Sequence, residues 1–184
     1  MEILKGSVYR SSLGAIIVFM VLTVICWGKA GYVCSRGERQ KCVWKLTNTL
    51  LFIAGILNVL ETTIVGRNVS EQELILIPLY SFCEAIKQPE HYRSMLMNVF
   101  LFEPIGLALP FVLLGKLKKK TVITICFGFG LSLIVESIQY GFALGRTEID
   151  DVICNTLGCA LGTVAYLFYK HKIFKEKDSN DMHK

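Results

Sequence analysis

Residues 131–162 read LSLIVESIQYGFALGRTEIDDVICNTLGCALG. Two apolar flanks enclose a short charged loop, and polar residues recur at helical spacing inside both flanks. Ser132, Glu136 and Gln139 stand at i, i+4, i+7 and share one helical face. Asp151, Asn155, Gly158 and Gly162 stand at i, i+4, i+7, i+11 and share another. Period-2 alternation is absent, which excludes the strands of a membrane barrel. The stretch predicts a helical hairpin whose Glu136/Gln139 face meets the Asp151/Asn155 face, with Arg146 on the loop above. Gly141 and Gly145 are expected to turn the chain between the helices. Gly158-x-x-x-Gly162 is a small-residue pattern, expected to let the last helix approach the preceding one closely.

The rest of the chain is built the same way. Of 184 residues 53% are hydrophobic and 19% charged, against about 25% charged in soluble domains. Residues 11–28 and 152–169 carry no charge; 46–66, 94–115 and 121–145 carry one each, Glu61, Glu103 and Glu136. A bilayer core of about 30 Å is crossed by about 20 helical residues, and backbone in lipid must satisfy its own hydrogen bonds. The reading is therefore all-α: a polytopic α-helical membrane protein with five transmembrane helices. Residues 74–82 (LILIPLYSF) are too short to span and contain Pro78, so they are read as an interfacial or re-entrant segment. This composition excludes a disordered chain, a collagen, a disulfide-rich toxin and an ordinary soluble enzyme. The net charge of +5 is a topology signal rather than a nucleic-acid signature, and no nucleic-acid partner is expected.

Lys and Arg in short loops set orientation. Lys29, Arg36, Arg39, Lys41 and Lys45 fill one loop, Lys116, Lys118, Lys119 and Lys120 the next, and Lys170, Lys172, Lys175 and Lys177 open the tail. They alternate with acidic stretches at 67–93 and 141–151. Basic segments are expected in the cytoplasm, with the N-terminus outside and the C-terminus inside; Lys5 and Arg10 count against the N-terminal placement. Three parts follow: 1–45, an extra N-terminal transmembrane helix and basic cytoplasmic loop; 46–169, a domain of four transmembrane helices; 170–184, a basic cytoplasmic tail. The seven cysteines show no C-x-x-C or Cys/His spacing, so free thiols are expected, and no metal or cofactor site is identified.

An ionisable group inside a span costs about 2.5–3.5 kcal/mol on insertion scales, so it has a partner or a function. The candidate binding residues are Asn98, Ser132, Glu136, Gln139, Arg146, Asp150, Asp151 and Asn155. Two readings are open. In one, Arg146 neutralises Glu136 or Asp151 in a buried polar knot. In the other, these residues line an outward-open pocket, which Asn98 also faces. Pro104 and Pro110 are expected to kink the third span and free backbone carbonyls. Glu61 and Arg67 are expected to pair locally.

These residues, taken in order, resemble the VanZ family of bacterial membrane proteins over roughly 46–169. The blocks are Thr63-Ile-Val-Gly-Arg67; Ile77-Pro78-Leu79; Asn98-Val-Phe-Leu-Phe-Glu-Pro-Ile-Gly106, ending at Pro110; and Ser132…Glu136-x-x-Gln139, Gly145-Arg146, Asp150-Asp151…Asn155-Thr-Leu-Gly158. Glu103 stands where an apolar residue is expected and Leu79 where an aromatic is common. The resemblance implies a cell-envelope role; the family is named for a member linked to resistance to the glycopeptide antibiotic teicoplanin. It implies a site, not a reaction.

Three functions are compatible with these residues. A binding or surface-modulating protein would engage a membrane lipid head group, a lipid-linked cell-wall precursor or the glycopeptide itself, with Arg146 on phosphate or carboxylate. An enzyme would use Glu136 and Asp151 as acid–base candidates, since no Ser/His/Asp or Cys/His nucleophile set is visible. A transporter ranks last, because inverted repeats are absent.

Overall fold

The computed structural model describes residues 38–87 and 90–182, with side chains over 42–86 and 91–171. The predicted first helix at 11–28, Cys26, Cys34 and most of the basic loop 29–45 lie outside the described residues. Two compact units are distinguished, Met1–Trp44 and Lys45–Lys184. The described elements are α1 (Glu38–Leu60), continued by a wider π-helical turn Glu61–Val65; β1 (Glu73–Ile75); α2 (Tyr80–Lys87); α3 (Glu90–Val112); α4 (Leu117–Gly141); β2 (Arg146–Glu148); and α5 (Ile149–Met182). Four stretches are long and apolar enough to cross a bilayer: Cys42–Val65, His91–Val112, Leu117–Gly141 and Ile149–His171. The protein is an all-α polytopic membrane protein. Two three-residue strands, absent from the sequence reading, pair in parallel, with Glu73 opposite Arg146 and Ile75 opposite Glu148.

In lipid, apolar burial supplies little drive between helices, so close packing and interhelical hydrogen bonds decide the arrangement. The close approach is between α3 and α5, not between α4 and α5 as the Gly158/Gly162 pattern predicts. A Cβ on Gly158 would overlap the carbonyl of Val99, and one on Gly162 the carbonyl of Glu103. α3 supplies its own notch: Gly106 sits against the Cys159 backbone. α4 meets α5 through another notch, where a Cβ on Gly128 would lie 2.6 Å from Cys159 Sγ. Cys159 Sγ in turn donates to Thr124 O at 3.3 Å. Val59, Phe102, Ile105, Val135 and Cys159 meet in a buried cluster joining all four spans, with Phe52 and Ile56 packed against it.

α3 runs as one helix through Pro104 and Pro110. Pro110 has no N–H to offer the carbonyl four residues earlier, that of Gly106. Thr163 Oγ1 of α5 lies 3.3 Å from that oxygen and 2.8 Å from its own Cys159 O, so the neighbouring helix covers the orphan acceptor. At the far end, Lys120 Nζ donates to Pro110 O at 3.2 Å. That end carries Lys116 to Lys120; the other carries a polar cap built from β1, α2 and β2.

The turn after α4 is a Schellman motif. Leu144 N–H bonds Gln139 O at 2.9 Å and Ala143 N–H bonds Tyr140 O at 3.2 Å. The left-handed residue it requires is Ala143, at φ 50°, rather than the expected Gly141; Gly145 does take positive φ, 116°. Gly141 is still the last residue of α4, and the reversal falls two residues later. Residues 74–82 are not one element. They are split between β1, a turn with Leu79 at φ 64°, and the start of α2.

Candidate functional site

The cap is held down by carboxylates. Asp150, in the first turn of α5, is 1% exposed. Its Oδ1 accepts Leu79 N–H at 2.6 Å and its Oδ2 accepts Ser81 N–H at 2.8 Å. These are orphan donors at the start of α2, and a carboxylate satisfies them with the favourable sense of the helix dipole. Asp150 therefore positions α2 over the bundle and spends both oxygens doing so.

Arg146 bridges three elements. Its Nε lies 3.2 Å from Glu73 Oε2 and 3.0 Å from Glu148 Oε1, and a terminal nitrogen lies 3.2 Å from Glu84 Oε2. This departs from the expected knot, in which Arg146 neutralises Glu136 or Asp151. The reason is register: parallel pairing puts Glu73 opposite Arg146, so β1 delivers a carboxylate that the linear sequence keeps far away. Burial opposes the charge on Arg146, yet the surrounding carboxylates of Glu148, Glu84 and Glu73 outweigh it and push the guanidinium further towards its charged form. The hydrogen bond from Tyr80 Oη, 2.9 Å, followed by the Arg146 contact, holds the Glu84 carboxyl below its usual value; the same bond raises the Tyr80 phenol. Ser81 Oγ donates to Glu148 Oε2.

Beneath the cap lie the intramembrane polar groups. Glu136 Oε2 accepts the Glu148 backbone N–H at 3.3 Å. Asn98 Nδ2 of α3 donates to Asp151 Oδ1 at 2.6 Å. Asn155 Nδ2 donates to Ser132 Oγ at 2.9 Å, and Gln139 Nε2 to Thr63 O at 3.0 Å. Ser132, Gln139 and Asn155 thus lock helices to one another. The Thr63 carbonyl is presented by the π-helical turn, itself tied by Thr63 Oγ1 to Val59 O at 2.6 Å. Arg67, just past the π-helical turn, is anchored by a 3.5 Å contact from its guanidinium to Leu144 O. No ion pair joins Arg67 to Glu61 among the described residues.

A cavity of about 340 Å³ opens between cap and bundle, lined by Arg67, Ser81, His91, Ser94, Met95, Arg146, Glu148 and Asp151. Of the sequence candidates, Arg146 and Asp151 line it. Asn98 and Glu136 stand behind it, and Asp150 holds the cap. Ser132, Gln139 and Asn155 face away into helix contacts. Sequence reasoning missed Arg67, Ser81, His91, Ser94 and Glu148 as cavity residues. Arg67 alone had a signal: a lone cation directly after the polar end of a span.

The fold and this cavity define a class, a polytopic α-helical membrane protein with a charged cavity at one end of its bundle. Residues 16–170 match the family described as VanZ/LLP1, and the chain belongs to that family. Over 91 residues it is 42% identical to Protein VanZ of Enterococcus faecium, covering 48% of this chain and 53% of that protein. The chain spans about half the length of that curated relative. No solved structure matches it.

Proposed function

We propose that the cavity is an outward-facing binding site for a cell-envelope ligand, a lipid head group or a lipid-linked wall precursor, and that its occupancy alters susceptibility to glycopeptides such as teicoplanin. The observation that carries this reading is the placement of Arg67, Arg146, Glu148 and Asp151 around one cavity at the end of a membrane bundle. A polar knot serving stability alone needs no void, because protein interiors close-pack, whereas concave sites with a few convergent polar groups are where ligands bind. The basic residues at the opposite end of the bundle support the outward orientation through the positive-inside rule.

The test is Asp151→Asn. It keeps the Asn98 contact sterically possible while removing the charge that faces the cavity. Membrane abundance, monodispersity and glycopeptide susceptibility are measured together in an expressing strain. Normal abundance with loss of the parent's susceptibility phenotype is expected. A phenotype that survives in the well-folded variant would reject the cavity as its source.

A further inference from the structure

Charged groups of both signs line the cavity: the guanidiniums of Arg67 and Arg146 and the carboxylates of Glu148 and Asp151. Arg146 is already met by Glu73, Glu84 and Glu148, which leaves Arg67 and Asp151 for a ligand. Near a membrane, where Coulomb terms are stronger than in water, such a site favours a ligand that itself carries both signs. Its cation belongs on the acidic wall. Asp151 shows where: its Oδ1 is taken by Asn98, it lines the cavity, and among the described residues no hydrogen bond reaches its second oxygen. Ionised carboxylates accept several hydrogen bonds, so this oxygen calls for a donor.

The cavity also offers a place for an anion. The Arg67 guanidinium is held at one nitrogen by Leu144 O, and among the described residues no carboxylate closes on it as an ion pair. Ser94 lines the same cavity and adds a hydroxyl. A guanidinium has a fork of donors suited to phosphate oxygens.

The surroundings fix the source of the ligand. Leu76, Ile77, Leu79, Phe82 and Ile86 of the cap are exposed, Ile86 to 76%, while Ser81 between them lines the cavity. A segment that turns large apolar side chains outward beside transmembrane spans lies in the headgroup–acyl boundary. That sets the cavity at head-group depth. Its volume of about 340 Å³ lies at the low end of small-molecule sites, with room for one polar head group and too little for a glycan-peptide precursor.

We infer that the cavity holds the zwitterionic head group of a membrane phospholipid bearing a primary ammonium, with the phosphate diester beside Arg67 and Ser94 and the ammonium beside Asp151. This rests on the binding reading above and narrows it to phosphoethanolamine-type lipids.

The test uses the purified full chain in a neutral detergent and measures binding of short-chain phosphatidylethanolamine, its N-methyl, N,N-dimethyl and N,N,N-trimethyl analogues, short-chain phosphatidylglycerol, and soluble phosphoethanolamine. Affinity is expected to fall stepwise as N–H donors are lost, by about tenfold from the primary to the quaternary amine, a tenfold being roughly one charge-assisted hydrogen bond. Phosphatidylglycerol and soluble phosphoethanolamine are expected to bind more weakly than phosphatidylethanolamine. Asp151→Asn should erase the ranking by methylation. Arg67→Gln should weaken all phosphodiesters together. The methylation series needs no variant, so it decides the matter even where a variant fails to fold. Equal binding of the primary and quaternary lipids, or tighter binding of phosphatidylglycerol, overturns the inference while leaving a lipid site in place. Tighter binding of the soluble amine overturns the lipid source. Binding of none of these probes overturns the inference, and the susceptibility assay of Asp151→Asn then decides separately whether the broader reading stands.

Discussion

Gly162 of α5 lies directly on the backbone of α3, where a Cβ would overlap the Glu103 carbonyl. The neighbouring Leu161 is 49% exposed. The small-residue stripe therefore serves a pair of helices separated in sequence by α4. Gly162→Leu should force α3 and α5 apart, at a cost of at least the about 1–3 kcal/mol typical of overpacking. Leu161→Ala should be close to neutral. Thermal stability and folded yield in detergent compare them, and equal tolerance would contradict the α3–α5 interface.

Arg146 ties β1, β2 and α2 together through three carboxylates. Arg146→Gln leaves those carboxylates uncompensated and should cost about 1–3 kcal/mol, less than a fully buried pair because the site is partly solvated. Adding Glu148→Gln should recover part of the loss, since Glu148 is the closest partner at 3.0 Å. Adding Glu136→Gln should recover none, because Glu136 bonds to the Glu148 backbone instead. Rescue by Glu136→Gln in a thermal-shift series would revive the simple knot.

Ala143 holds the left-handed position of the Schellman motif at φ 50°. An L-residue there costs about 1–2 kcal/mol relative to its preferred backbone, and glycine does not carry that cost. Ala143→Gly should raise stability, by up to about 1 kcal/mol once glycine's extra unfolded-state freedom is subtracted. A lower midpoint in thermal unfolding would count against this geometry.

The Glu84 carboxyl is held below its usual value by Tyr80 and Arg146. The sign follows directly. A lowered folded value contributes stability that is complete above the ordinary carboxylate value of about 4.3 and disappears as pH falls through the lowered one. A spin label on Cys83, exposed on α2, should report the cap loosening in acid below that ordinary value, while spans labelled at Cys126 stay ordered. Cap mobility that rises towards alkaline pH instead would contradict the assignment.

Orientation is tested with cysteines. Cys42 and Cys83 are both exposed; Cys42 begins the spanning stretch Cys42–Val65 and Cys83 lies on α2. With basic loops inside, an impermeant thiol reagent should label Cys83 in intact cells and Cys42 only after permeabilisation. The reverse pattern would invert the topology and place the cavity in the cytoplasm.

The sequence by itself determined the fold class and four of the spans, because a bilayer makes length and apolarity nearly sufficient criteria for a helix. It also determined that polar residues gather at one end, since charge inside a span is too costly to be scattered. Boundaries shifted by a few residues: the last helix starts at Ile149, ahead of the uncharged run 152–169, because Asp150 and Asp151 belong to its first turn. Tertiary structure alone decided partners. The i, i+4, i+7 rule says which residues share a face but not which helix the face meets, so the Gly158/Gly162 stripe turned to α3 rather than α4. Parallel pairing of two three-residue strands, too short to register as a pattern, brought Glu73 to Arg146 across more than seventy residues. That pairing occupied Arg146, while Arg67, just past the end of a different helix, lines the same cavity as Asp151. Long-range contacts of this kind are set by packing and register, and single-sequence periodicity carries neither.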